Sequence, residues 1–287
     1  MTTNNRFIQL CHLPALLWGV LFLAACATQS KSEQEDKPLL MVTIEPVRFM
    51  ADQIGGDYFR IESQIPKGAN PETYDMTPRQ MVHLSESAAY LRIGYIGFEN
   101  AWMERLMESN PKMKVFDLSE GLDLINGTNA IEPHIWNSTV NARIIARNIL
   151  QAMIDLDTEH EAAFQAGYES LLNTVDETEQ ALEKMLKDQK GKSFLIYHPT
   201  LTYFARDWGL HQICIEEDGK EPTIQQLRQI TNESRAQGVK TIFIQPEFDH
   251  ENAKLVAKET GSELSEIFPL SYDWAHELIR IGEILSK

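Results

Sequence analysis

The chain has 287 residues, 43% of them hydrophobic, which is long enough for one large domain or two lobes with cores of their own and excludes a disordered tail or a disulfide miniprotein. Its 42 Asp and Glu outnumber 26 Lys and Arg, giving a formal net charge of −16 that argues against a nucleic-acid partner, because phosphates would be repelled, and suits cations better. The three cysteines, Cys11, Cys26 and Cys214, are too few and too scattered for a disulfide framework or a Cys-rich zinc knuckle, so a metal site would have to use His, Asp and Glu.

Residues 13–25, LPALLWGVLFLAA, form an unbroken run of 13 apolar or small residues, against roughly 20 needed for a membrane-crossing helix. The run reads as the core of a signal peptide, preceded by a polar segment whose one clear positive charge is Arg6. Leu23-Ala24-Ala25-Cys26 resembles the lipobox of bacterial lipoproteins, which implies cleavage before Cys26 and a lipid on its sulfur. Residues 1–25 are therefore expected to leave. Residues 26–37 are polar and cannot pack, and so form a flexible tether. The body is expected on the outer side of the cytoplasmic membrane, in the bacterial cell envelope, held by that lipid. Cys214, left without a partner, reads as a core residue.

Along the body, short apolar runs alternate with helical periodicity, which predicts an α/β architecture. Strands are expected at 39–44, 59–65, 89–93 and 114–117, and again at 193–197, 212–215, 241–245 and 263–268. Gly209, Gly238 and Gly261 sit where left-handed residues end helices, Thr223 with Gln226 has the form of a capping box, and Asp249 can cap the helix running to Thr260. Residues 158–189 carry apolar side chains at helical spacing without Gly or Pro after Gly167, with Thr158 and Glu161 as a further capping box. One helix of about 48 Å follows, long enough to span two lobes. The expected organisation is an N-terminal lobe over 38–157, a linking helix over 158–190 and a C-terminal lobe over 191–287.

Three segments place a possible metal ligand beside Pro or an aromatic residue at a strand end or helix start, where α/β folds open side chains into a crevice. They are Gly68-Ala69-Asn70-Pro71-Glu72-Thr73-Tyr74, Glu132-Pro133-His134-Ile135-Trp136 and Ile196-Tyr197-His198-Pro199. Glu72, His134 and His198 are the candidates for one shared site. His83, on the helix after Glu72, is a weaker accessory candidate, and His160, His211, His250 and His276 fall at polar or element-end positions.

With these segments in order, and with Arg92-Ile93-Gly94, Gly97-Phe98-Glu99, Trp102, Tyr203-Phe204, Gly209-Leu210 and Glu221-Pro222-Thr223 between and after them, residues 39–285 resemble the metal-specific solute-binding proteins of ABC importers. That group includes zinc-uptake binding proteins and manganese-binding lipoprotein adhesins. The resemblance implies two small α/β lobes, parallel-rich sheets with flanking helices, joined by one long helix with the metal in the cleft between them. It implies delivery to a membrane permease rather than chemistry on the ligand, and a monomer. Two positions depart from the family pattern. Glu72 stands where a His is usual, and the usual Asp near the last strand falls on Phe268, which cannot coordinate a cation. Asp273 is the named candidate for the fourth ligand, with Glu266, Glu247 or solvent as others. Residues 119–132 contain no His, so the His-rich loop of the long zinc-binding members is absent.

Two imidazoles and a carboxylate suit tetrahedral Zn²⁺, which is placed ahead of Mn²⁺ or Fe²⁺ because nitrogen-containing sites favour it. Two His and a Glu with an open position also describe a catalytic zinc, so a zinc-dependent hydrolase is the competing reading, although no HExxH motif occurs. A binder of iron chelates or corrinoids on the same fold is the third.

Overall fold

The computed structural model describes residues 36–127, 130–216, 220–248 and 250–287. The signal segment, most of the tether with Cys26, and Asp249 with its proposed cap lie outside the described residues. Of the two units into which the chain divides, Met1–Pro38 and Leu39–Lys287, the second carries every strand and helix named below.

Four-residue strands made of consecutive apolar residues can be buried on both faces, and that requires a parallel sheet with helices above and below. β1 (Leu39–Val42), LLMV, is buried at every position. It lies between β2 (Arg60–Ser63) and β3 (Ala89–Arg92), with β4 (Lys114–Asp117) outside β3, and all pairs are parallel in the order β2-β1-β3-β4. The second sheet repeats the plan with β5 (Ser193–Ile196), β6 (His211–Cys214), β7 (Thr241–Ile244) and β8 (Glu263–Glu266), in the order β6-β5-β7-β8. All eight expected strands are present. Most stop one or two residues short, because the trailing residues leave the ladder to form the loops at the carboxyl edge.

Each sheet reverses its strand order at one place, between β1 and β3 and between β5 and β7. Parallel sheets open a crevice at such points, beyond the carboxyl ends of the strands, because the flanking crossovers run to opposite faces. β5 carries the consequence for packing. Phe194 and Ile196 face one core, shared with the first sheet, while Leu195 and Tyr197 face a second, smaller core built with Val256 and Ala257.

The connecting helices are α1 (Glu45–Gly55), α2 (Pro78–Leu84), α3 (Gly97–Ser109) and α4 (Thr139–Leu156) in the first lobe. Their counterparts in the second are α6 (Thr202–Trp208), α7 (Ile224–Ala236), α8 (Glu251–Thr260) and α9 (Trp274–Leu285). The capping box at Thr223 and Gln226 forms, and a second one forms at Thr77 and Gln80. Gly209, Gly238 and Gly261 hold φ of 64°, 66° and 75°, as helix-ending residues in the left-handed region do.

Between the lobes runs α5 (Glu161–Leu186), whose 26 residues give about 39 Å. It is shorter than the sequence reading. The chain enters through a 3-10 turn (Thr158–His160), and the expected capping box of Thr158 and Glu161 does not form. Asp157 takes that role: its carboxylate accepts from the Glu159 N–H at 3.1 Å and bonds the His160 ring at 2.7 Å. The buried stripe of α5, Phe164, Leu171, Val175, Leu182 and Leu186, packs against α1 and α4 of the first lobe and α9 of the second. Where α5 crosses α1, Gly167 lets the backbones touch; a Cβ there would stand 2.6 Å from the Gln53 carbonyl. Phe164 fills the crossing, stacked on Phe59 at 5.7 Å and edge-on to Tyr58 at 5.4 Å, a contact whose truncation to Ala costs about 3–5 kcal/mol.

The lobes are also tied by polar contacts between residues far apart in sequence. The Trp136 indole donates to the Pro269 carbonyl at 2.8 Å and the Trp274 indole to the Trp136 carbonyl at 2.7 Å. Asn137 donates to the Thr200 carbonyl at 2.9 Å. Both indoles are almost fully buried, so these bonds operate away from water, where breaking one leaves a costly unsatisfied group. Among the described residues no helix is long and apolar enough to cross a membrane.

Candidate metal centre

The place of His198 follows from strand register. β5 sets Ile196 beside Cys214 of β6 and beside Phe243 of β7. Side chains repeat every two residues along a strand, so two steps further on, His198, Glu216 and Gln245 stand side by side at the carboxyl edge. The observed bonds agree. His198 Nδ1 meets Glu216 Oε1 at 3.1 Å, and Gln245 Nε2 donates to the His198 carbonyl at 2.7 Å and to Thr200 Oγ1 at 3.1 Å. Phe248, on the turn after β7, stacks on the imidazole with centroids 4.5 Å apart and planes 19° apart.

His134 sits in the stretch before α4, which Ser138 starts by accepting from the Asn141 N–H at 3.0 Å. The Glu132 carboxylate folds back on it: Oε1 accepts from the His134 backbone N–H at 3.0 Å and bonds its Nδ1. Glu132 is itself fixed from the other lobe, where Tyr203 donates to its carbonyl at 2.9 Å and Thr202 to Oε2 at 3.3 Å. Burial alone would raise the Glu132 pKa, but the adjacent His134 charge and the hydrogen bonds outweigh it and hold the carboxyl below its ordinary range.

Glu72 is presented by the loop between β2 and α2. Asn70 turns the chain by accepting from the Glu72 N–H at 2.9 Å, the side-chain turn that suits Asn in tight loops. One carboxylate oxygen, Oε2, accepts from the Gly97 N–H at 2.9 Å. The other, Oε1, is buried without a hydrogen-bond partner.

These three side chains bring one donor atom each within 4.8 Å of one another. The Nε2 atoms of His134 and His198 are 3.2 Å apart, and both residues are buried. An ionised carboxylate only accepts, so Glu132 and Glu216 each take the Nδ1 proton of their histidine and leave its Nε2 lone pair pointing inward. Together with the Glu72 carboxylate, whose Oε1 has no hydrogen-bond partner, the two lone pairs form a close cluster of acceptors. One cation can satisfy all three at once. A proton competes for the same place: burial alone would lower the His134 pKa, but Glu132, Glu72 and Glu216 together hold it above the ordinary imidazole value.

The cavity against these donors is about 20 Å³, lined also by Trp136, Gln245, Glu247 and Leu270. That is room for one water-sized particle. Outside it opens a cleft of about 670 Å³ bordered by Glu72, Glu132, Glu216, Glu221 and Glu247. A bare ion fits the inner space. An iron chelate or a corrinoid does not.

The structure thus brings Glu72, His134 and His198 together, sets Glu247 on the wall of the same cavity, and leaves Asp273, Glu266 and His83 apart. Asp273 is exposed at the start of α9, near His276, and lines neither cavity. Phe268 is 41% exposed under the Arg280 guanidinium, 5.2 Å from its ring centre, and its backbone N–H donates to Glu277 at 2.7 Å. Its loop offers Pro269 and Leu270 to the inner cavity instead. His83 pairs with Glu62 at 2.8 Å and lines neither space. Burial pushes the Cys214 thiol up to about 12, so it stays neutral and packs against the core. Glu132 stood in the sequence motif without a role, and Glu216 and Gln245 were missed. Their signal is the pairing of strands that are not consecutive in sequence.

A third layer supports Glu72 from the first sheet. Glu99, buried in α3, accepts from the N–H groups of Ile93 at 2.8 Å and Gly94 at 2.6 Å and from the Thr43 hydroxyl. This holds the loop 93–97, in which Gly94 has φ 80° and Tyr95, without glycine's freedom, has φ 64°.

Comparison with known proteins shows which chains share this fold. The chain aligns with a crystal structure of ZnuA at 30% identity and a TM-score of 0.84, covering 88% of this chain and 98% of that one. A ZnuA deletion mutant with zinc bound aligns at 30% identity and a TM-score of 0.83, covering 88% and 97%. The manganese ABC transporter substrate-binding lipoprotein scaA of Streptococcus gordonii is 27% identical, with 87% of this chain and 86% of scaA covered. The profile described as zinc-uptake complex component A, periplasmic, matches residues 40–273, and the chain belongs to that family.

Proposed function

We propose that this protein is the extracytoplasmic receptor of an ABC importer, capturing a divalent transition metal between its lobes on Glu72, His134 and His198 and passing it to a membrane permease. Residues 1–25 are the signal peptide, Cys26 carries the lipid, and 26–37 form the tether to lobes over 38–157 and 191–287 flanking the helix over 158–190. The observation that carries the reading is the close approach of the buried His134 and His198 Nε2 atoms and the Glu72 carboxylate, whose Oε1 has no hydrogen-bond partner. Family membership and the zinc-bound and manganese-transporting relatives support it.

Zinc is the first choice. Two imidazoles and a carboxylate are its common donors, and the Irving–Williams order places it above manganese and iron at such a site. Manganese or iron is the alternative, favoured to the extent that the carboxylate share of the site rises. Burying a dication removes its water shell, and the negative charge of Glu72 offsets that cost more than a neutral imidazole would. The indole bonds across the lobes and the packing of α5 restrict hinge motion, so release is by shifts of the site loops.

Thermal unfolding of metal-stripped protein, with Zn²⁺ or Mn²⁺ added, tests this. Free metal at about 100 times Kd stabilises the folded state by about 2.7 kcal/mol, which at this size raises Tm by roughly 5–10 °C. His134→Ala with His198→Ala should abolish the shift. A wild-type protein whose Tm responds to neither metal would refute the reading.

A further inference from the structure

We propose that Glu247, on the turn after β7, is the fourth metal ligand, moving its carboxylate into the inner cavity when a cation arrives. The inference rests on the metal-receptor reading above and completes its coordination shell.

The three convergent donors leave one side of the point open, and the walls of the cavity name what can fill it. Among the described residues lining it, apart from Glu72, His134 and His198, Glu247 is the one with an ionisable side chain. The loop after β8, where the sequence pattern would put an acid, closes this side with Pro269 and Leu270, and its Phe268 is turned out under Arg280. That loop is not free to rotate inward. The Trp136 indole holds the Pro269 carbonyl at 2.8 Å, and Glu277 holds the Phe268 N–H at 2.7 Å.

The turn bearing Glu247 is, by contrast, fastened to the site on both sides of that residue. Gln245 is bonded to the backbone of His198, and Phe248 is stacked on the His198 ring. The Glu247 backbone is thereby placed, while its side chain is half-buried and accepts from its own N–H. It borders both the inner cavity and the outer cleft, so turning about its side-chain bonds carries the carboxylate from one to the other without moving the main chain. Among the described residues Glu247 has no ion pair to break.

Charge gives the motion its driving force. Glu132 and Glu216 stand behind the histidines on their Nδ1 atoms, so of these carboxylates Glu72 alone would touch the dication, and a second carboxylate in direct contact attracts a buried ion more strongly than one at a distance. The ligand set becomes two imidazole nitrogens and two carboxylate oxygens from both lobes: Glu72 and His134 from the first, His198 and Glu247 from the second. Cation binding would then swing the Glu247 carboxylate inward and close the 20 Å³ cavity from the cleft.

The full folded chain, stripped of metal, is titrated with Zn²⁺ against a chromophoric chelator and separately loaded with Co²⁺ for its visible absorption spectrum. Glu247→Gln should lower Zn²⁺ affinity by more than tenfold and change the position and intensity of the Co²⁺ bands. Asp273→Asn and Glu221→Gln, also acids of the second lobe, should leave both unchanged. Should Glu247→Gln fold poorly, Glu247→Asp, which keeps the charge but shortens the reach, should still weaken Zn²⁺ and shift the bands. An unaltered Co²⁺ spectrum in the Glu247 variants overturns the proposal, whether affinity is unchanged or falls equally in all the acidic variants. A wild-type protein that binds neither Zn²⁺ nor Co²⁺ refutes the receptor reading itself, which separates the two failures.

Discussion

Glu72 rests directly on Gly97. The Gly97 N–H donates to Glu72 Oε2 at 2.9 Å, and a Cβ on residue 97 would stand 2.8 Å from that same oxygen, closer than real Cβ atoms come to anything. The first residue of α3 thus serves as the floor on which the carboxylate stands, with the other oxygen, Oε1, left without a hydrogen-bond partner.

Gly97→Ala should therefore displace Glu72 while leaving both histidines in place. The expected result is a loss of metal affinity of roughly tenfold or more, comparable to the loss of an outer-shell partner, with a smaller loss of stability of about 1–3 kcal/mol from overpacking. Chelator competition and urea unfolding of the apo-protein measure the two effects separately. Wild-type affinity in this variant would show that Glu72 has no part in binding.

Glu132 and Glu216 stand behind the histidines, each bonded to an Nδ1. Glu132→Gln and Glu216→Gln keep the shape but allow the amide to donate, which favours the tautomer with its proton on Nε2 and blocks the lone pair. Each should cost about 10–100-fold in metal affinity. Isothermal titration reads this directly, and ¹⁵N shifts of the imidazoles should report the tautomer change.

Glu99→Gln tests the loop beneath Glu72. The carboxylate accepts at both oxygens from main-chain N–H groups, and an amide nitrogen cannot accept, so Ile93 or Gly94 would lose its partner in the core. A loss of about 1–3 kcal/mol is expected from one unsatisfied buried group. Amide exchange should speed up at residues 93–97 and not at the second sheet.

Tyr272 joins the two lobes at the surface, donating to Asp52 Oδ2 at 2.9 Å with the Arg48 guanidinium 5.0 Å from its ring centre. Burial first, and then the bond and charge of Asp52, push the Tyr272 hydroxyl from 10.0 up to about 12. The protonated phenol is therefore favoured by folding. Its contribution is fully present below pH 10, where an unfolded chain begins to lose the proton, and is lost as pH rises to about 12. Tyr272→Phe should be less stable than wild type at pH 8, by under about 1 kcal/mol for one partly exposed hydrogen bond. The difference should shrink across pH 10 to 12 in denaturant melts. A constant difference over that range would show that the hydroxyl titrates as it does in the unfolded chain.

The elements of the fold were legible because their signals are local. Consecutive apolar residues such as Leu39-Leu40-Met41-Val42 mark doubly buried strands, and Thr223 with Gln226 marks a helix start, without reference to anything distant. Where a reading erred, a nearby residue competed. Asp157 took the cap expected of Thr158, because its short carboxylate reaches the Glu159 N–H and the His160 ring together.

For the site, the sequence by itself determined the three convergent side chains, since each stands in a Pro- or aromatic-flanked segment at an element boundary: Glu72 after Pro71, His134 after Pro133, His198 before Pro199. Tertiary structure alone decided what surrounds them. Glu216 and Gln245 reach His198 through pairing between strands separated by whole helices, and which residues become level with one another is set by the packing of those helices. The same holds for the open side of the site. Asp273 and Glu247 are alike in sequence as acids in loops of the second lobe, but Trp136 and Glu277 pin the loop before Asp273 with Phe268 outward, while Phe248 seats the turn of Glu247 against His198. Chain chemistry selects groups able to bind a cation, and only the register and packing of both lobes select which of them face one point.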